Sequence, residues 1–253
     1  MRKIIIGDVH GCLKELQELI ALISLQSNDE LVFVGDLLDK GPDGLGVWRY
    51  VKNKHNFNCK KVIYVWGNHE DKHYRYYRKP QNFSNPSNDL QLQAQFNQSD
   101  FDFFEDFVLY HYDPLFHLLI IHGGVLEKVQ NLEYFPYQKA TDYYRYLSNK
   151  KAKPFLLNLR VRYVDREKGH FLGLGKEKEN DPFWAQTYDG RLGTIVFGHE
   201  AFQDVKVFDH AFGIDTGAVY GNKLSAIVFE KGGAKTSMIS VKSQTQYDNN
   251  SFC

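Results

Sequence analysis

The sequence predicts an α/β fold, and two observations support this prediction. Short apolar runs of strand length alternate with segments whose apolar residues recur at helical spacing. The apolar runs also end in glycine together with aspartate, histidine or asparagine. In an open α/β sheet, the loops at the carboxyl ends of the strands border a crevice in which ligands bind. We therefore expect a sheet flanked by helices, with polar residues gathered at one edge.

Three such units occupy the first third of the chain. "KIIIGD" at residues 3–8 predicts a buried strand, and residues 13–23 have apolar positions at helical spacing. "ELVFVGD" at 30–36 predicts a second strand, which the turn "GPDG" and a second helix from about residue 45 follow. "KKVIYVWGNHE" at 60–70 predicts the third strand and completes a βαβαβ series.

Three later segments continue the pattern. "FHLLIIHGG" at 116–124 and "GTIVFGHE" at 193–200 are apolar runs that end in histidine and glycine. "AFGIDTGAVYGNKLSAIVFE" at 211–230 predicts two strands joined by a glycine-rich turn. Five strand ends therefore present Asp, His or Asn, and we interpret them as one site.

The segments between these runs predict insertions on a single domain that spans residues 1–253. The polar stretch at 80–100 predicts a mobile loop, and "FDFFEDFVLYH" at 101–111 predicts a helix. Because neither insertion has a complete hydrophobic pattern, we expect cap elements at about 71–115 and 128–185. The polar composition at 243–253 predicts a flexible tail.

Composition excludes several classes of protein. Thirty-one Lys plus Arg balance thirty-one Asp plus Glu, so no global basic field favours duplex nucleic acid. Cys12, Cys59 and Cys253 are widely spaced and fit reduced thiols. No run approaches the roughly 20 apolar residues of a membrane span. We expect a cytoplasmic protein that does not contact the membrane, and the sequence leaves its oligomeric state open.

The residues at the strand ends favour a metal site. Two carboxylates, three imidazoles and one amide are too many ligands for one tetrahedral ion and suit two ions such as manganese, iron or zinc. Two such ions can activate water and neutralise charge during displacement at phosphorus, which favours phosphoester or phosphoanhydride hydrolysis. The alternative role for the two aspartates is helix N-capping. The candidate ligands are Asp8, His10, Asp36, Asn68, His122 and His199.

The blocks "GDVHG", "GDLLDKG", "GNHE", "HGG" and "GHE", in this order, resemble the signature of the calcineurin-like metallophosphoesterases, in their phosphoprotein phosphatase branch. The resemblance covers residues 4–229. Later segments resemble symmetrical diadenosine tetraphosphate hydrolases, phage-type protein phosphatases and the phosphatase domain of polynucleotide kinase-phosphatases. It implies a four-layer sandwich of two mixed β-sheets flanked by helices, with helical cap insertions.

The same resemblance implies roles for individual residues. Asp8 and His10 would hold one metal, Asp36 would bridge, and Asn68, His122 and His199 would hold the second. A hydroxide bridging the metals would attack phosphorus in line with the leaving group. His69 would protonate the leaving oxygen as general acid, and Asp39 would orient His69 and raise its pKa. Two divalent ions, most often manganese in such sites, are the expected cofactors.

Some residues depart from the family pattern or stay open. Lys40 replaces the usual arginine and offers phosphate a compact charge instead of a planar fork. Arg160 and Arg162 are candidates for the second phosphate-binding arginine, and Asn68 is a further phosphate contact. Glu200 could repel an anionic substrate or point outward, and Glu70 is expected to have a structural role, of which an ion pair under the loop is one form. His210 could contact one of the metal-binding residues. Surface or packing roles are expected for the other histidines, which are His55, His73, His111, His117 and His170.

Three functions remain open at this point. The leading substrate is a dinucleoside polyphosphate such as diadenosine tetraphosphate, because aromatic residues in the insertions could stack a base. A Ser/Thr protein phosphatase or a broad phosphomonoesterase would use the same chemistry on a phosphoprotein or another phosphorylated partner. A non-catalytic binding protein would lack a ligand residue, and every candidate position holds a competent residue type.

Overall fold

The structure is a computed structural model that describes residues 1–231 and 236–248. Two mixed β-sheets pack face to face with helices outside them, as predicted. The described strands are β1 Arg2–Ile6, β2 Glu30–Phe33, β3 Lys61–Val65, β4 Phe107–Val108, β5 Tyr110–Asp113, β6 Leu118–Ile121, β7 Thr194–Phe197, β8 Lys206–Phe208, β9 Ala211–Gly213, β10 Lys223–Glu230 and β11 Thr236–Lys242. The described α-helices are α1 Leu13–Ile23, α2 Gly44–Lys52, α3 Asn68–Arg78, α4 Asn88–Gln91, α5 Gln98–Asp102, α6 Ala140–Tyr146 and α7 Asn149–Leu156.

Each sheet combines parallel and antiparallel pairs. The first has the order β11-β10-β1-β2-β3-β4, in which β1 to β4 run parallel and β10 runs antiparallel to both of its neighbours. The second has the order β5-β6-β7-β9-β8, with β6, β7 and β9 parallel. The carboxyl ends of the parallel strands are therefore available to bring their loops together.

Both faces of the central strands are buried, which explains their continuous apolar runs. Ile5, Val32 and Ile63 point between the two sheets and meet Ile120 and Val196 of the second sheet. The alternate residues of the same strands, such as Ile4, Leu31 and Tyr64, point to the outer layer that contains α1 and α2. Alternation of side chains along a strand thus fills two apolar layers from one sequence run.

The predicted pair of strands at 211–230 is confirmed, but the two strands lie in different sheets. β9 joins the second sheet beside β7, whereas β10 pairs with β1 in the first sheet. The connection at 214–222 therefore crosses from one sheet to the other at the carboxyl edge of the parallel strands. Turn composition alone could not show this crossing, because it depends on which partners the two strands find.

The helix predicted at 101–111 is wrong in its second half. Residues up to 106 form α5 and a 3₁₀ turn, after which the chain forms β4 and β5. The aromatic residues of this segment fit a strand as well as a helix, and pairing with β3 and β6 decides the outcome. The polar stretch before it contains α4 and two 3₁₀ turns, at 80–82 and 92–95.

The described part of the predicted tail packs on the domain. Ser243 is buried and donates a hydrogen bond to the carbonyl of Ala218. The Tyr247 hydroxyl donates to Glu15 of α1 at 3.0 Å. The flexible tail predicted at 243–253 therefore differs from the structure up to residue 248, and residues 249–253 lie outside the described residues. No helix within the described ranges is long and apolar enough to span a membrane.

An ion cluster stabilises the amino-terminal end of the parallel strands. The Lys3 side chain is fully buried, and its ammonium contacts Glu30 and lies 2.5 Å from Asp113. His111 Nε2 lies 3.4 Å from the same ammonium. Glu30, His111 and Asp113 are residue types that could hold a metal, but Lys3 already supplies the positive charge that the two carboxylates need.

We expect the His111→Gln variant to lose part of the protein's acid sensitivity. Burial and the Lys3 charge lower the pKa of His111 from 6.5 to about 4. Between these two values His111 binds a proton in the unfolded chain but not in the folded protein. The contribution of neutral His111 to the free energy of unfolding is therefore present above pH 6.5 and is lost as the pH falls through 4. Urea denaturation across that range measures the slope.

The control is His55→Gln, because His55 is exposed. This variant should retain the wild-type pH dependence of the free energy of unfolding. An unchanged slope in His111→Gln would contradict the assignment.

Candidate metal centre

The predicted site residues meet at the carboxyl edge of the two sheets. The loops after β1, β2, β3, β6 and β7 each contribute, as the strand-end pattern indicates. Side-chain atoms of His10, Asp36 and His69 lie within 4.8 Å of one another, and so do those of Asp36, His122 and His199. Two groups that could hold a metal therefore share Asp36.

Several of these residues have left-handed backbone conformations. His10, Asp36 and His199 have φ values of +44°, +49° and +69°. Asp39 and Lys40, in one loop, have φ values of +70° and +64°. Such conformations cost on the order of 1–3 kcal/mol for a residue other than glycine and occur most often at functional sites. The loops are thus shaped to aim side chains and not to minimise local strain.

The Asp36 carboxylate lies at the centre of the site. Its Oδ2 is 3.6 Å from His10 Nε2, and its Oδ1 is 3.4 Å from His122 Nε2. Oδ1 also accepts a hydrogen bond from the His69 amide at 2.9 Å. Burial opposes ionisation, but His122 and His69 outweigh burial and hold the pKa of Asp36 well below its usual range. Each oxygen of an ionised carboxylate therefore faces a different imidazole.

Backbone carbonyls select the tautomers of both imidazoles. His10 Nδ1 lies 2.9 Å from the Leu38 carbonyl, and His122 Nδ1 lies 3.0 Å from the Val34 carbonyl. A carbonyl only accepts, so each Nδ1 carries a proton, and each Nε2 is the ring nitrogen that faces Asp36. Burial, together with the charge of Lys40, lowers the pKa of His10 and keeps that ring neutral.

Two further acceptor atoms at the site have no hydrogen-bond donor beside them. Asp8 Oδ1 and His199 Nε2 are buried without a hydrogen-bond partner among the described residues. Asn68 Oδ1 lies 3.0 Å from His122 Nε2. Burial, with Asp215 and Asp36 nearby, raises the pKa of Asp8, which is the cost of placing carboxylates together without a cation. A cluster of acceptors that face one another fits divalent metal ions.

His69 and Asp39 form the predicted pair. His69 Nδ1 donates to Asp39 Oδ2 at 2.6 Å. Burial lowers the pKa of His69, but Asp36 and Asp39 outweigh burial and raise it overall. Burial likewise opposes ionisation of Asp39, whereas hydrogen bonds from His69 and His73 hold its pKa well below the usual range. The pair is thus a protonated imidazole beside an ionised carboxylate.

His73 and Glu70 make contacts at the site that the sequence did not identify. His73 is fully buried and donates to Asp39 Oδ1 at 2.6 Å, although a surface or packing role was expected. Its spacing of four residues from His69 on α3 was the signal that could have found it. Glu70 has no ion-pair partner among the described residues and accepts the backbone amides of Asp36, Leu37 and Gly67 at 2.8–3.0 Å. A buried carboxylate on one helix thus shapes the loop that carries Asp36.

Two further residues at the site come from the crossing segment at 214–222. Burial raises the pKa of Asp215 to about 6, and Asp8 and Lys40 lie near it. The Lys40 ammonium donates to the Tyr220 hydroxyl at 2.7 Å and lies 3.3 Å from His10 Nε2. Neither Asp215 nor Tyr220 was among the predicted site residues, because they reach this edge only through the crossing between sheets.

The predicted phosphate-binding arginines are both ion-paired. Arg160 donates to the buried Asp71 carboxylate at 2.7 Å and lies near the Asn68 carbonyl. Arg162 pairs with Glu200 and approaches the His199 carbonyl. Glu200 is therefore neutralised by a neighbour. Both arginines border the site, and each remains partly exposed to solvent.

The other histidines lie away from the site. His210 is exposed in the turn before β9, and its carbonyl accepts from Ile195 at the start of β7, the opposite edge from His199. It therefore does not contact a ligand histidine. His55, His117 and His170 are exposed, as expected.

Comparison with known proteins assigns the class that this fold and site define. Residues 1–203 match the family described as calcineurin-like phosphoesterase, and the chain belongs to that family. It is therefore a phosphoester hydrolase of the metallophosphoesterase class, as predicted.

Similar proteins cover nearly the whole chain. Two bis(5'-nucleosyl)-tetraphosphatases PrpE, described as asymmetrical, are 31% identical over 244 residues in Oceanobacillus iheyensis and 34% identical over 248 residues in Halalkalibacterium halodurans. The matches cover 89% of this chain in both cases, and 87% and 89% of the relatives.

Solved structures share the fold. One described as "a putative diadenosine tetraphosphatase" is 25% identical, with a TM-score of 0.69 over 96% of this chain and 93% of that one. A protein serine/threonine phosphatase of Saccharomyces cerevisiae is 17% identical, with a TM-score of 0.62 over 96% of this chain and 80% of that one. At that identity the second likeness concerns the fold alone.

Proposed function

We propose that this protein hydrolyses dinucleoside polyphosphates such as diadenosine tetraphosphate. The observation that carries the reaction class is the cluster of facing acceptors around Asp36, which suits two divalent ions. Support for the substrate comes from the two tetraphosphatases that are about 30% identical over nearly their full lengths. The two lines of support agree, because the phosphoanhydride of such a substrate is negatively charged and metal ions would neutralise that charge before attack at phosphorus.

We assign the metal-binding residues on the same geometry. Asp8, His10 and Asp36 would hold one ion, and Asp36, Asn68, His122 and His199 the other, with manganese preferred over iron or zinc. Bound divalent ions would supply Lewis-acid neutralisation of the phosphoryl group and lower the pKa of a water molecule. The protein's part is to bind Nδ1 of His10 and His122 with the Leu38 and Val34 carbonyls, which leaves Nε2 of each ring to face a metal ion.

His69 would donate the proton that the leaving oxygen needs. Its Nδ1 is engaged by Asp39, so Nε2 is the atom that can reach a substrate. Nε2 lies 3.8 Å from Asp36 Oδ2, at the edge of the metal cluster. Asp36 and Asp39 outweigh burial and raise the pKa of His69, which suits an acid that must be protonated before the reaction and neutral after it.

Cationic side chains would bind the rest of the polyphosphate. Lys40 lies beside His10 inside the site, while Arg160 and Arg162 lie at its border with their second partners Asp71 and Glu200. Asn68 would contact phosphate as well as metal. A chain of several phosphates carries enough charge to draw these arginines from single carboxylates, because guanidinium binds phosphate through two parallel hydrogen bonds.

The position of cleavage is a separate part of the proposal. The resemblance in the sequence includes symmetrical hydrolases, whereas the two relatives are described as asymmetrical. We propose asymmetrical cleavage, which converts diadenosine tetraphosphate into AMP and ATP. Symmetrical cleavage would yield two molecules of ADP instead.

We also infer a single catalytic domain with insertions at about 71–115 and 128–185, acting in the cytoplasm. Cys12 and Cys59 are free thiols, which fits a reducing compartment.

The first test compares substrates. Manganese-loaded protein should have a kcat/KM for diadenosine tetraphosphate at least tenfold above that for a phosphothreonine peptide, about 1.4 kcal/mol in transition-state binding. AMP and ATP should form in equal amounts, as measured by ion-exchange chromatography. ADP as sole product would contradict asymmetrical cleavage, and a preference for the peptide would favour a protein phosphatase.

The second test concerns the bridging carboxylate. Asp36→Asn should reduce the bound manganese from two ions per chain to one or fewer. The substitution replaces one of the two carboxylate oxygens with an amide nitrogen, which cannot bind a metal ion. Added manganese should then raise Tm less than in the wild type. The control Asp43→Asn keeps a side chain able to cap α2 and should bind two ions. Two ions retained in Asp36→Asn would refute the bridging role.

The third test concerns the proton donor. His69→Asn should keep both metals and lose turnover of phenyl phosphate by about 10²–10⁴-fold, the usual contribution of general acid catalysis. His55→Asn, at an exposed site, should retain wild-type turnover. Metal content is measured by mass spectrometry, and normal turnover in His69→Asn would remove the acid assignment.

A further inference from the structure

Part of the first insertion returns to the Asp39 carboxylate. Asp39 Oδ2 accepts from His69 Nδ1 at 2.6 Å and from the Lys72 ammonium at 2.9 Å. Its Oδ1 accepts from His73 Nε2 at 2.6 Å. Three donors around one buried carboxylate leave it a single orientation, and that orientation decides where the His69 ring lies.

The protonation of His73 follows from its second partner. Gln93 Nε2 lies 2.7 Å from the His73 carbonyl, so this atom is the amide nitrogen and donates. The same nitrogen lies 3.0 Å from His73 Nδ1, which must therefore accept. The proton of the neutral ring is consequently on Nε2, where it points to Asp39. Gln93 thus selects the tautomer of His73 that can bind Asp39.

The segment at 88–95 that carries Gln93 is anchored independently. Leu90 is almost fully buried, and Leu92 packs near Gly44 at the start of α2. Asp89 lies 3.2 Å from the ammonium of Lys72, the second cation on Asp39. Two side chains of this short segment therefore reach the donors of Asp39, one through His73 and one through Lys72.

A purely structural role would not require this arrangement. A buried histidine needs partners for both nitrogens, but any carbonyl or hydroxyl would satisfy them. Here the two ring nitrogens of His73 face Gln93 on one side and, on the other, the carboxylate that holds His69. The order of the contacts is Gln93, His73, Asp39, His69, and it ends at the proposed proton donor.

We propose that His73, with its tautomer selected by Gln93, is a positioning residue for the His69–Asp39 pair. The segment at 88–95 is then part of the catalytic apparatus and not only a cover over the site. The proposal rests on the proposed role of His69 as proton donor. Its consequence is that turnover which depends on protonation of the leaving group also depends on the donor at position 73.

The first test reads the tautomer directly. In zinc-loaded protein with ¹⁵N-labelled histidine, NMR should show the His73 proton on Nε2, coupled to one nitrogen and protected from exchange. In Gln93→Met the two tautomers should become mixed. A wild-type His73 with its proton on Nδ1, or with both nitrogens protonated, would overturn the proposal whatever the activity.

The second test compares leaving groups. His73→Met lacks a donor, and we expect it to lower kcat/KM for phenyl phosphate about tenfold or more, within the range of acid catalysis. For p-nitrophenyl phosphate the loss should stay below about threefold, because a good leaving group departs with little help from an acid. His73→Gln, whose amide can donate from the same place, should recover most of the phenyl phosphate activity.

Two controls separate this proposal from its alternatives. Thr141→Val removes the hydrogen bond that a fully buried side chain donates to Glu105, and it should affect both substrates equally if at all. His69→Asn should show the same dependence on leaving group as His73→Met, only larger. If His69→Asn lacks that dependence, the proton-donor role fails; if His69→Asn shows it and His73→Met does not, only the positioning role fails.

Discussion

The site depends on one electrostatic constraint, the placement of the Asp36 carboxylate between the Nε2 atoms of two imidazoles. His10 and His122 each donate Nδ1–H to a backbone carbonyl, so both rings turn Nε2 toward Asp36 at the centre. Acceptors repel one another unless a cation lies between them. Burial and the neighbouring carboxylates of Asp215 and Asp36 raise the pKa of Asp8, and His199 Nε2 has no hydrogen-bond partner among the described residues. The rest of the edge serves to keep these groups in place.

The sandwich supplies the rigidity that this placement needs. Parallel strands end at one edge, and the apolar layers on both faces of each strand prevent the loops from relaxing. Glu70 adds a local brace, because its carboxylate accepts three amides of the loops around Asp36. Left-handed conformations at His10, Asp36 and His199 persist because their surroundings over-determine them. Stability is thus concentrated in the strands, and strain at the loops.

The sequence predicts the residues directly after the strands better than it predicts the residues that surround them. Residues directly after strands, such as Asp8 and His122, were identified because an apolar run that ends in a polar residue is a local signal. His73 and Asp215 were missed, since the first lies inside a helix and the second follows a short strand that joins another sheet. The helix predicted over 101–111 failed for a related reason, because pairing with β3 and β6 outweighed local preference.

The sequence alone was enough to predict the βαβαβ series at the start of the chain, the strand-end residues and the chemistry that their types allow. These depend on periodicity and residue type, which are local properties of the chain. Only the tertiary structure decided that Gln93 selects the tautomer of His73, that Glu200 neutralises Arg162, and that the segment at 214–222 crosses to the site. The physical reason is that these contacts join residues far apart in the chain, and their geometry exists only after the two sheets have packed.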